Sequence, residues 1–152
     1  MLEANVDDQD PRLWPGVLAG LLAAGADDAW LVPILMKKGR PAHTLRVLCA
    51  PAVTGRLRRL MFDHTSTIGV RDHPVRKTAL PRTWVQVKVD GGVVGIKIAH
   101  SGGRIRSATP EFTDVAAIAA ATGVGERAVL ARCIAAAEAA GLRSGAEWPV
   151  PG

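Results

Sequence analysis

The sequence predicts an α+β fold, a ferredoxin-like βαββαβ core followed by a β-hairpin and two alanine-rich helices. Three observations predict it. Apolar runs of strand length alternate with two amphipathic stretches of helical period in the order β-α-β-β-α-β. Asp90-Gly91-Gly92 separates two alternating runs and is a hairpin signal. The last third contains two alanine-rich stretches of helix length.

Leu2–Val6 reads as a short strand ending at the acidic turn Asp7–Asp10. Asp10-Pro11 opens a helix, Asp as cap and Pro at the first helical position, and the helix runs to Ala24 before Gly25. Pro15 would cost a hydrogen bond inside it, so regular helix is expected only from Trp14. Val17, Leu18, Leu21 and Leu22 form its apolar face. Ala29–Met36 is a continuous apolar run suited to a strand, with Pro33 implying an edge or a bulge. A loop, Lys37–His43, precedes the strand Thr44–Ala50. Ala52–Phe62 is the second amphipathic helix, burying Val53, Leu57, Leu60 and Met61, and Thr67–Thr78 contains a further short strand. Thr83–Val89 and Val93–Ala99 make the hairpin, and helices follow at Thr113–Ala121 and Glu126–Ala140. The expected division is a ferredoxin-like subdomain at 2–80, the hairpin and helices at 81–143, and a mobile Pro/Gly tail at 144–152.

The 152 residues suffice for a core without staples. Cys49 and Cys133 lie far apart, which excludes a disulfide framework and a CxxC metal knuckle and suits buried free thiols. No apolar run approaches membrane-spanning length and no basic-then-hydrophobic leader opens the sequence, so a cytoplasmic location is expected.

Charge is segregated. Residues 1–35 sum to −5, residues 36–88 to +10, and the remainder to zero, within a net +5. Carboxylates that hold a cation beside bases that hold an anion would require such a pairing; an ordinary mixed surface, or a basic face for nucleic acid, would also produce it.

Four segments could carry chemistry. On a strand, Glu3, Asn5 and Asp7 share one face, and with Asp8 they suit a hard cation such as Mn²⁺ or Mg²⁺; a solvated strand end is the alternative. Lys37, Lys38 and Arg40 surround Gly39 and could hold phosphate, although the Walker A spacing is absent and a solvated charge run has the same composition. Thr65, Ser66 and Thr67, followed by Arg71, could hydrogen-bond phosphate or ribose, or simply cap a polar loop. Glu111, after Pro110, is explained by a first helical turn. His43, His64, His73 and His100 form no HxxH or HExxH pair.

In order, Glu3-Ala4-Asn5-Val6-Asp7-Asp8, Pro33-Ile34-Leu35-Met36-Lys37-Lys38-Gly39-Arg40-Pro41, Thr65-Ser66-Thr67-Ile68-Gly69-Val70-Arg71, a Val-x-x-Lys segment ending at Lys97, and Pro110-Glu111-Phe112 resemble the nickel-insertion proteins of lactate racemase maturation. The likeness covers Leu2 to about Ala140 and only the C-terminal part of such proteins, as a split-gene product or a fragment would. Ala4, Gln9-Asp10, Gly39, His64 and Ser66 depart from the family's usual Thr, Met-Asn, Asn, Glu and Thr. The resemblance implies binding of CTP with Mn²⁺ (or Mg²⁺) and a homo-oligomer, with a hexamer as the size to test. It also implies nickel insertion into pyridinium-3,5-bisthiocarboxylic acid mononucleotide with consumption of CTP, nickel being substrate. A nickel-binding N-terminal half would be the partner. It carries Glu3, Asn5, Asp7, Asp8 and Glu111 over as metal-site candidates, and Lys37, Lys38, Arg40, Thr65, Ser66, Thr67, Arg71 and Lys97 as CTP and phosphate candidates. Two other readings compete: a ferredoxin-like module binding nucleic acid, for which four Trp, two Phe and no Tyr leave few stacking platforms, and a structural oligomerisation domain.

Overall fold

Strand β1 (Leu2–Val6) turns Leu2, Ala4 and Val6 into a hydrophobic core and Glu3 and Asn5 to the opposite face. Its continuation turns at Asp10, whose carboxylate accepts the Arg12 amide at 2.9 Å and caps a 3-10 turn, Pro11–Leu13. Helix α1 (Trp14–Ala23) then begins where Pro15 costs nothing, because the first helical turn has no intrahelical amide bond to lose. Trp14, Val17 and Leu21 are its buried residues; Leu22, expected on this face, is rotated onward and is 47% exposed.

Strands β2 (Asp28–Met36) and β3 (Arg40–Leu48) form a long hairpin. The expected loop Lys37–His43 shrinks to three residues, Lys37–Gly39, because pairing resumes at Met36 opposite Arg40. Lys38 and Gly39 both take left-handed backbone, with φ +64° and +68°, and close this connection. Pro33 is tolerated because β2 lies at the sheet edge. After a 3-10 turn at Pro51–Val53, α2 (Thr54–His64) buries Leu57 and Met61, with Val53 and Leu60 packed alongside. The short β4 (Arg71–Asp72) pairs with the free side of β1. The order β2-β3-β1-β4, antiparallel throughout, is the ferredoxin-like arrangement. Residues from α1 and α2 join Leu2, Ala4, Val6, Leu45 and Val47 in one core, so both helices cover the same face.

The computed structural model describes residues 1–148. It divides them into two compact units, Met1–Lys77 and a second beginning at Thr78. In the second, β5 (Arg82–Val89), β6 (Gly92–Ser101) and β7 (Arg104–Pro110) form an antiparallel meander, followed by α3 (Phe112–Thr122) and α4 (Glu126–Ala139). The expected hairpin therefore has a third strand. Its turn, Gly102-Gly103, has φ of +58° and +68°, a conformation glycine adopts without penalty. At the other turn Gly91 has φ +90°, and a Cβ there would lie 2.5 Å from Thr122 Cγ2. Val94, Ile96, Ile98, Ile105, Val115, Val129 and Cys133 fill the core.

Of the expected tail, residues 149–152 lie outside the described residues. Residues 144–148 are tied down: Gly145 and Trp148 donate amide hydrogen bonds to Ile105 O (2.9 Å) and Gly103 O (2.8 Å), and Ile105 donates to Ala146 O. The missed strand β7 and the turn before it supply the backbone partners of this segment. No helix among the described residues is long and apolar enough to cross a membrane.

Candidate functional site

The helix-free face of the first sheet carries a ladder of oxygen and guanidinium groups. Register sets it: Glu3 lies opposite Arg46 and Arg71, and Asn5 opposite Thr44. Glu3 is only 7% exposed. Its Oε2 accepts from Arg71 Nε at 3.0 Å, and its Oε1 lies 2.7 Å from Arg46 Nε, an ion pair not aligned as a hydrogen bond. Asn5 Oδ1 accepts from Thr44 Oγ1 at 2.8 Å and from Arg71 Nη2 at 2.9 Å. Asp7 Oδ2 accepts from Arg40 Nη1 at 3.0 Å. Glu3 on β1 and Asp7 just beyond it thus each meet arginine from β3 or β4, and each arginine remains substantially exposed.

At the end of this ladder Asp8 accepts a hydrogen bond from the Ser66 hydroxyl, and Gln9 Oε1 accepts the Ser66 amide at 3.0 Å. Thr65 and Thr67 are used locally: Thr65 Oγ1 donates to Met61 O at 2.6 Å, and Thr67 Oγ1 donates to Gly69 O at 3.0 Å. They shape the loop that presents Ser66. Lys37 and Lys38 stand exposed on the β2–β3 connection, and no ion pair among the described residues engages either.

Chemically, Arg40, Arg46, Arg71, Lys37 and Lys38 outnumber Glu3, Asp7 and Asp8, so the ladder and its turn favour an anion overall. No group of three or more His, Cys, Asp or Glu side chains converges as a metal site among the described residues. Glu3 has both oxygens on guanidinium groups, whereas Asp7 and Asp8 each have one carboxylate oxygen engaged by Arg40 or Ser66. That donor set fits a hard cation of the Mg²⁺ or Mn²⁺ type only where one or two carboxylates are joined by phosphate oxygens and water.

Lys97 and Glu111 belong to the second unit, where Lys97 Nζ lies 3.4 Å from Glu111 Oε1. Trp84 Nε1 donates to the same oxygen at 2.7 Å. This indole hydrogen bond, ahead of Lys97, holds the Glu111 carboxyl below its ordinary pKa range. Of the histidines, His43 packs edge-on to Trp14 and His100 against Trp148. Cys133 is buried, which raises its thiol pKa, and Cys49 is half-buried.

Sequence reasoning missed Arg46 and Trp84. The alternation Thr44-Leu45-Arg46-Val47 placed Arg46 on the polar face, but only strand register reveals that Glu3 is its neighbour.

Fold and face together define an α+β protein whose first unit presents a guanidinium-rich surface edged by two partly engaged carboxylates. The chain matches the family described as nickel insertion protein over residues 1–130, and it belongs to that family. It is 54% identical over 120 residues to the pyridinium-3,5-bisthiocarboxylic acid mononucleotide nickel insertion protein of Nocardioides sp., an alignment covering 79% of this chain and 30% of that protein. A putative nickel insertion protein of Myxococcus xanthus is 40% identical over 136 residues, covering 90% of this chain and 35% of the relative. This chain therefore spans about a third of the length of these relatives. Among solved structures it resembles LarC2, the C-terminal domain of a cyclometallase involved in synthesis of the NPN cofactor of lactate racemase, in its apo form. The TM-score is 0.82 and the identity 34%, over 90% of this chain and 94% of that one.

Proposed function

We propose that this chain is the nucleotide-binding part of a CTP-dependent nickel insertase that converts pyridinium-3,5-bisthiocarboxylic acid mononucleotide to its nickel-pincer form. The observation that carries the reading is the ladder on β1, β3 and β4, where Arg40, Arg46 and Arg71 are already oriented by Asp7, Glu3 and Asn5. Guanidinium groups fixed in this way lose little freedom on gripping a polyphosphate.

In this reading Lys37, Lys38, Arg40, Arg46 and Arg71 hold the triphosphate of CTP, and Ser66 stands at its edge. Asp7 and Asp8 would hold Mn²⁺ or Mg²⁺ jointly with phosphate oxygens, and the metal would supply charge neutralisation there. Glu3 and Asn5 position arginines and do not ligate the metal. Thr65 and Thr67 set the loop. A homo-oligomer, with a hexamer as the size to test, and a nickel-delivering N-terminal half complete the assembly. The four histidines and two cysteines here form no soft-metal cluster among the described residues, so nickel, which favours imidazole and thiolate donors, would be delivered from elsewhere.

The test is reconstitution with this chain, CTP, Mn²⁺, Ni²⁺ and metal-free substrate, with and without the N-terminal half. Nickel-loaded cofactor is expected only when both are present. Full conversion by this chain alone would contradict the division of labour.

A further inference from the structure

The second unit carries a feature that the nucleotide reading does not use. Trp84 lies on the helix-free face of the β5-β6-β7 sheet, since its neighbours Thr83, Val85 and Val87 alternate inward or half-inward and Val85 and Val87 join the core. Among the described residues, no core residue of α3 or α4 packs on its side of the sheet, where the side chains of Asp114, Gln86 and Glu111 lie over Gly95. Lys97 lies directly opposite on β6, and the diagonal neighbours there are Gly95 and Ala99, neither large enough to cover an indole. Trp84 is 52% exposed.

An exposed tryptophan is common enough, but this one is oriented. Its Nε1–H donates to Glu111 Oε1 at 2.7 Å, and the same oxygen faces Lys97 Nζ at 3.4 Å. Glu111 is itself fixed, because it leads into α3 and its amide donates to Gly95 O at 2.8 Å. The indole edge is thus tethered while about half of the residue remains open to solvent, at 52% exposure. Near it stand two carboxylates, Glu111 and Asp114, the latter accepting the Gly95 amide at 2.8 Å, and two bases, Arg82 on the same strand and Lys97 opposite.

We propose that Trp84 is a stacking platform for the cationic pyridinium ring of the mononucleotide substrate, with Glu111 beside the ring and Arg82 and Lys97 toward its acidic substituents and phosphate. This rests on the nickel-insertion reading above. The charge pattern selects the occupant: a cationic ring gains from an indole face and a nearby carboxylate, whereas its thiocarboxylate and phosphate groups need bases within reach. A neutral pyrimidine gains only the stacking.

The experiment is calorimetric titration of the full chain with nicotinic acid mononucleotide, a pyridinium carboxylate of the same class, and with CMP as the neutral-ring control. The variants are Trp84→Ala and Trp84→Phe, each checked for folding by circular dichroism. Wild type is expected to bind the pyridinium nucleotide more tightly than CMP. Trp84→Ala should weaken that binding about tenfold or more, and Trp84→Phe should retain most of it. Equal binding by wild type and Trp84→Ala, or equal affinity for CMP, overturns the proposal. CTP with Mn²⁺ is titrated into the same three proteins. Retained CTP binding beside an unaffected pyridinium titration removes the Trp84 platform alone, whereas loss of CTP binding in wild type removes the nucleotide reading as well.

Discussion

Replacing Glu3 by glutamine probes whether the face built on β1 is an arginine scaffold or a preformed cation site. Glu3 is buried at 7% exposure, and both of its oxygens face guanidinium groups at 2.7 and 3.0 Å. The Arg71 contact is a charge-assisted hydrogen bond, and such bonds contribute about 1.5–3 kcal/mol, while the Arg46 contact is an ion pair without hydrogen-bond alignment. The larger penalty known for broken buried pairs does not apply in full, because the side chains of Arg46 and Arg71 are 42% and 52% exposed and can rehydrate. Glu3→Gln keeps one acceptor and removes the charge, so it should cost the first unit about 1.5–3 kcal/mol. With an m-value of about 1–1.5 kcal/mol/M in urea, the midpoint should fall by about 1–3 M. The assay is urea unfolding in metal-free buffer, followed by tryptophan fluorescence in a Trp84→Phe, Trp148→Phe background. The signal then comes from Trp14 and Trp30, both in the first unit. A midpoint that stays put or rises would refute the reasoning, because acids gathered to await a cation repel one another and their neutralisation stabilises the apo protein.

Two further predictions follow from local geometry. Lys38 holds φ +64°, which costs a side-chain-bearing residue about 1–2 kcal/mol, so Lys38→Gly should stabilise the first unit by about 0.5–1 kcal/mol after the entropy of glycine is charged against it. The same change should lower affinity for CTP with Mn²⁺ by about tenfold or more, a split measurable by urea unfolding and calorimetry on one preparation. For the thiols, a disulfide reagent at pH 8 should titrate Cys49 in the native protein. It should reach Cys133 only on unfolding, since burial both blocks that thiol and raises its pKa; two fast-reacting thiols would contradict the packing of α4.

The sequence was most informative where a local rule decides the outcome. Asp10-Pro11 marked the start of the first helix, and Pro15 correctly delayed its regular portion to Trp14, because capping and the lost amide act within one turn. The strand alternation of Leu2–Val6 put Glu3 and Asn5 on one face for the same reason. What was hidden depended on partners distant in sequence. Arg40 looked like part of a loop because its pairing with Met36 is invisible locally. The strand Arg104–Pro110 is only weakly alternating, and its identity comes from β6 beside it, although Gly102-Gly103 was a turn signal open to recognition. Arg46 reads as an ordinary polar-face residue until register sets it opposite Glu3. The segregated charge is legible in the composition; that Glu3 and Asp7 of the acidic segment meet Arg40, Arg46 and Arg71 of the basic one across a four-stranded sheet is not.

In the proposed function, the guanidinium ladder of the first unit binds a triphosphate together with a divalent metal. Calorimetric titration of CTP into the chain tests it most directly, with Mn²⁺ or with EDTA, and with Arg46→Met and Arg71→Met beside the wild type. Binding is expected to need Mn²⁺ and to weaken by about tenfold or more in each variant, the effect of losing a charge-assisted phosphate contact. Equal affinity in EDTA, or undiminished binding by both variants, would contradict it.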